Sequence, residues 1–159
     1  MNVYALDDIT ADYLTRGVLV RRFLAWLVDL LLIALLAGTL WWLLVFFGFL
    51  TFGLGMGALA ILPFVPFLYH FLSLVGRNAA TPGQQAFGLT VRRNDDLDLP
   101  TPLQALVYVL LFYLTFATTG LLFLVALFTE RHRTLHDIFS GLVVIRFGAL
   151  EALTGPRGI

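Results

Sequence analysis

From Phe23 to Val75 the chain carries a single formal charge, Asp29, in the stretch RRFLAWLVDLLL that opens the run. A membrane-spanning helix needs about 20 mostly apolar residues, so this run holds two helices and the link between them. Leu103–Phe128 is long enough for a third apolar segment. The whole chain agrees. Of its 159 residues 60% are hydrophobic and 13% charged, with a mean hydropathy of +0.92, far from the balance of a soluble domain. The expected fold is an all-α membrane protein with three apolar membrane-embedded segments, at about 22–47, 58–75 and 103–128.

Glycine and proline punctuate these segments. Gly48 and the stretch Gly53-Leu54-Gly55-Met56-Gly57 loosen the helical pattern and mark the link between the first two helices. Pro63 and Pro66 fall in the first turns of the second helix, where each removes a backbone donor. Residues 76–102 form a polar loop in which Thr81-Pro82-Gly83 signals a turn. Phe87–Val91 and Leu97–Leu99, on either side of the polar stretch Asn94–Asp96, fit a small β-hairpin outside the bilayer. Residues 1–21 carry Asp7, Asp8 and Asp12 before any arginine, unlike a removable signal peptide. They read as a cytoplasmic tail ahead of a single membrane domain over 22–145, with 146–159 as a second tail.

The arginines give an orientation. Arg16, Arg21 and Arg22 precede the first helix, Arg77, Arg92 and Arg93 sit in the loop, and Arg131 and Arg133 follow the third segment. The link at Gly48–Gly57 has no charge. The positive-inside bias therefore places the N-terminus, the loop and the tail on the cytoplasmic side of the cell (inner) membrane, in a multi-pass arrangement. Three full spans would instead put the tail outside. Either the third segment is a full span against the bias, or it is a re-entrant helical hairpin broken near Thr118-Thr119-Gly120.

An aspartate near the centre of a spanning helix costs roughly 2.5–3.5 kcal/mol, so Asp29 requires a partner or a wet cavity. Arg22 lies seven residues earlier on the same helix face, roughly 10 Å away in rise. His70, seven residues before Arg77, reaches a similar depth on the second helix. An Asp29–His70 pair would serve as a proton relay, because each group can move the other's pKa toward neutrality. Alternatively it would only join two helices, or His70 would bond a backbone carbonyl freed by Pro66.

Other chemistry is poorly supported. With no cysteine there is no disulfide, thiolate nucleophile or zinc–thiolate site. All ten basic residues are arginine and net charge is zero, which gives no broad basic face for nucleic acid. His132, His136 and Asp137 have helical metal-pair spacing, but Arg131 and Arg133 beside them would repel a cation, so no metal is expected. No phosphate loop, nucleophile elbow or paired catalytic carboxylates occur, so neither a cofactor nor an enzyme is expected.

Three fragments taken together resemble the RDD family of small prokaryotic membrane proteins, named for one arginine and two aspartates. They are RRFLAWLVDLLL with Arg22 and Asp29, the Ala80–Val91 segment ATPGQQAFGLTV, and Arg133–Val144, RTLHDIFSGLVV, with Asp137. The resemblance implies that Arg22, Asp29 and Asp137 form a charge cluster at one interface, which favours the re-entrant arrangement. The chain departs from the family pattern at Gln84, commonly lysine, and Leu142, commonly threonine. Some members are suspected of transport. Two functions follow as expectations. One is an oligomeric ion or small-solute transporter, in its sharp form a proton-linked exchanger of monovalent cations using Asp29, His70 and Asp137. The other is a non-transporting module that binds a membrane partner protein or lipid, with the charge cluster structural.

Overall fold

The computed structural model describes residues 8–117 and 139–155. Its frame is a helical hairpin. The first arm is α2 (Val18–Leu50), preceded by α1 (Asp8–Thr15). The second arm is a 3-10 helix (Leu54–Phe64) that continues into α3 (Val65–Val75). After a short α4 (Pro82–Ala86) come β1 (Leu89–Arg93), α5 (Pro102–Ala117), β2 (Leu142–Arg146) and α6 (Phe147–Thr154).

Burial along the first arm is inverted relative to a soluble helix. In α2 only Val18, Ala25, Asp29 and Gly48 are buried, whereas Leu31, Trp42, Phe46 and Phe49 are all exposed. Apolar side chains pointing outward around a buried carboxylate are what a helix in lipid presents. Asp12–Leu50 and Leu54–Val75 are both long and apolar enough to cross a membrane.

The link turns at Thr51–Gly53, with Phe52 and Gly53 both at positive φ, a few residues earlier than the glycines suggest. Thr51 Oγ1 donates to the Phe47 carbonyl and accepts from Gly55 N–H, so the turn satisfies its own polar groups. That is required of any backbone far from water. Gly48 and Gly55 let the arms close here: a Cβ on Gly48 would lie 2.5 Å from Met56 Sδ, and one on Gly55 2.6 Å from a Phe47 ring carbon.

The 3-10 helix fixes how the arms line up. Leu54–Phe64 contains Pro63, which has no backbone donor, and it rises about 2.0 Å per residue rather than the 1.5 Å of an α-helix. Tyr69 therefore lies about 28 Å from the turn, close to the roughly 32 Å that separates Asp29 from Leu50. With α-helix throughout, the second arm would fall about 9 Å short.

At the open end of the hairpin the polar segments form a core of their own. β1 pairs with β2 antiparallel, Leu89 opposite Arg146 through Arg93 opposite Leu142. The expected hairpin within 76–102 is thus corrected: after β1 the chain turns back for one rung, Arg93 N–H to the Asp98 carbonyl, and the strand's partner comes from the tail. Local turn chemistry marked the strand but not its distant, more apolar partner. A two-stranded sheet is stable only when packed, and both faces of this one are covered. Val91, Leu142 and Val144 join Val18, Leu74 and Val109 on one side, while Val143 and Ile145 join Leu14 and Leu150 on the other. The N-terminal and C-terminal stretches expected as tails accordingly contribute α1 and α6 to this core. The rest of the third apolar segment, including Thr118-Thr119-Gly120, lies outside the described residues.

Val91 directs its N–H to Ala79, away from β2. Val91 and Val144 therefore oppose each other as a non-hydrogen-bonded pair, whose side chains approach closest. In this cysteine-free chain, Val91→Cys with Val144→Cys is expected to crosslink within one molecule on mild oxidation, whereas Val91→Cys with Val143→Cys, on opposite faces, should not. Mobility on non-reducing gels distinguishes the two.

Candidate functional site

The site is built where the loop closes over the first arm. Thr81 is the N-cap of α4, with extended backbone at φ −66° and ψ 158°, and Pro82 follows at the first helical position, where a missing N–H costs nothing. Thr81 Oγ1 accepts from Gln84 N–H at 3.1 Å, and Gln84 Oε1 accepts from Thr81 N–H at 2.9 Å. This reciprocal capping box fixes the turn. It also gives Gln84 a definite role, since its side chain closes the turn back onto the Thr81 amide.

The turn then presents two donors to Asp29. Thr81 O–H donates to Oδ2 at 2.5 Å and Gly83 N–H donates to Oδ1 at 2.8 Å. From α3, Tyr69 O–H donates to Oδ1 at 2.6 Å. Asp29 is only 4% exposed, and two hydroxyls and one backbone amide satisfy its carboxyl oxygens. Neither Arg22 nor His70 is among these donors.

Gly83 is the residue that permits the approach. A Cβ there would lie 2.3 Å from the Ala25 carbonyl oxygen and 2.7 Å from the Asp29 carboxyl. Ala25 and Asp29 are one turn apart on the same face of α2, so α4 begins directly against that face. A second tie lies further along, where Arg21 Nη1 donates to the Phe87 carbonyl at 2.9 Å. The loop holds itself together through Asn78 to Gln85, Gln85 to the Ala80 carbonyl and Thr90 to the Asn78 carbonyl.

His70 faces a different neighbourhood from Asp29. Its Nδ1 is 2.9 Å from the Pro66 carbonyl and 3.0 Å from the Tyr113 hydroxyl of α5. A carbonyl only accepts, so Nδ1 carries the proton. The ring packs on Phe112 at 5.1 Å. Sequence reasoning placed Asp29 and His70 at one depth; the residue that meets the carboxylate is the adjacent Tyr69, because neighbours on a helix point about 100° apart. A tyrosine beside the marked histidine was the available signal. The carbonyl His70 uses is that of Pro66 itself. Arg22 is half-buried on α2, and Asp137 lies outside the described residues, as do Arg131, His132, Arg133 and His136.

With the loop, the first arm and their junction in place, comparison with family models matches residues 16–141 to the RDD family. The chain belongs to the RDD family. It is a membrane-type protein of that family, and the matched region contains the Asp29 clamp and the whole of the loop that closes it. No curated protein and no solved structure matches the chain.

The clamp predicts an asymmetry among glycines. Gly83→Ala should lower stability in detergent by about 2 kcal/mol or more, as overpacking against rigid backbone does. Gly57→Ala, where a Cβ meets nothing within 4 Å, should leave the unfolding midpoint unchanged. Thermal unfolding of the two variants beside the parent checks this.

Proposed function

We propose that this RDD protein is an integral membrane module that acts by binding at the membrane–water boundary, with Asp29 a structural tie. The observation carrying this reading is that the buried Asp29 carboxylate is satisfied by three donors from two separate segments. A group that took up and released an ion there would have to break the contacts that hold the loop down. The depth fits as well. If the turn at Thr51–Gly53 sits at the far edge of a hydrocarbon core about 30 Å thick, Asp29 falls at the near edge, under the loop.

The same geometry supports a cytoplasmic N-terminus in the cell membrane. The hairpin returns Arg21, Arg22, Arg77, Arg92, Arg93 and Arg146 to one end and leaves the turn uncharged, which is the positive-inside pattern. β2, which follows the third apolar segment in the chain, is paired with β1 at that end as well. This favours the re-entrant arrangement over a single full span, and with it an Arg22–Asp137 encounter at one interface.

A second reading, proton-linked cation exchange, draws on one observation. The Asp29–Tyr69 and His70–Tyr113 contacts lay polar groups across α2, α3 and α5. So few apolar segments would need an oligomer to enclose a path. Reconstitution separates the readings. In tight vesicles holding a pH-sensitive dye, the binding module moves no protons above empty vesicles under sodium, potassium or lithium gradients. Proton movement that is present in the parent and lost in Asp29→Asn would overturn it in favour of exchange.

A further inference from the structure

At the open end of the hairpin a cavity of about 550 Å³ lies between the end of α3, β1 and α6. Its walls are of two kinds. Leu99, Phe147 and Leu150 line it with apolar surface, and Leu99 and Phe147 remain substantially exposed. Arg77, Arg92 and Arg93 bring positive charge, and Asp98 and Glu151 bring negative charge.

The charges do not all cancel locally. Arg93 is held by Asp96 and Asp95, both on its own turn. Arg77 and Glu151 both border the cavity and are exposed, yet no ion pair forms between them. One cavity therefore offers a guanidinium and a carboxylate that stand apart, next to an apolar wall. A simple anion would meet Glu151 and Asp98 as repelling neighbours, and a simple cation would meet the arginines. A zwitterion with an apolar extension satisfies all three surfaces.

We propose that this cavity binds a zwitterionic amphiphile carrying a phosphate and a primary ammonium, of the phosphoethanolamine class. The phosphate meets Arg77, since guanidinium geometry suits phosphate oxygens. The ammonium donates to Glu151, and the glycerol and first methylenes lie on Leu99 and Phe147. A quaternary choline ammonium has no N–H to give a carboxylate, so the site discriminates between the two head groups. The volume lies in the usual range for small-molecule sites. This inference rests on the reading that the open end of the hairpin meets the membrane–water boundary.

The test uses the full chain in nanodiscs of phosphatidylcholine doped with equal amounts of phosphatidylethanolamine and phosphatidylglycerol, with retained lipids counted by native mass spectrometry. Phosphatidylethanolamine should be retained over both others, and Arg77→Gln and Glu151→Gln should each reduce that retention about fivefold. Both side chains are exposed, and unchanged unfolding midpoints confirm intact variants. Soluble phosphoethanolamine added at millimolar concentration distinguishes the source: displacement means that the head group alone is the ligand, and none means that the lipid is required. Equal retention of ethanolamine and choline lipids overturns the proposal. So does preference for phosphatidylglycerol that rises in Glu151→Gln, which marks an anion site. A chain that stays soluble without detergent contradicts the membrane reading itself, a result distinct from one that inserts and retains no ethanolamine lipid.

Discussion

The structure depends on one buried carboxylate. Asp29 gathers a hydroxyl from the second arm and a hydroxyl and an amide from the loop, and so joins three stretches of chain far apart in sequence. Hydrophobic burial cannot do this in lipid, where the surroundings are as apolar as the side chains and helix association rests on packing and polar contacts. The tie has a geometric precondition on each side. The 3-10 stretch gives the second arm the length to bring Tyr69 level with Asp29, and Gly83 gives the loop the clearance to reach α2.

Around that tie the molecule separates into two environments. Toward the turn, side chains point outward and the backbone supplies its own partners, as lipid demands. Toward the open end, a two-stranded sheet is covered by α1 and α6 on one face and by the helix ends on the other. Under the proposed placement Asp29 falls at the membrane–water boundary, where a charged residue costs less than at mid-membrane and can be roofed by polar chain. Under this reading the aspartate orders the interface beside which an amphiphile is bound.

Much of this was legible in the sequence, for physical reasons. Two apolar helices joined by a glycine-rich link follow from hydropathy and length alone, and a lone aspartate in such a run had to be compensated. Thr81-Pro82-Gly83 was legible as a turn, and spacing alone put Arg22 on the same helix face as Asp29. What could not be read was the identity of the donors. Tyr69 rather than His70 meets the carboxylate because of rotational phase and a 3-10 rise that no pattern rule assigns to residues 54–64. A backbone amide as partner leaves no side-chain signature, apart from the glycine that makes room for it. A strand was legible at Phe87–Val91 and forms two residues later, at Leu89–Arg93, but its partner lies in the tail, and long-range pairing is invisible to local turn chemistry.

The central claim is that the Asp29 contacts are structural and act together. A double-mutant cycle measures this directly: unfolding free energies in one detergent for the parent, Asp29→Ala, Thr81→Val and the double variant. Each single change leaves a buried group without its partner, so the account predicts a coupling energy of about 1–2 kcal/mol, with the double variant much less destabilised than the sum of the singles. Strict additivity, or an Asp29→Ala variant as stable as the parent, would contradict it.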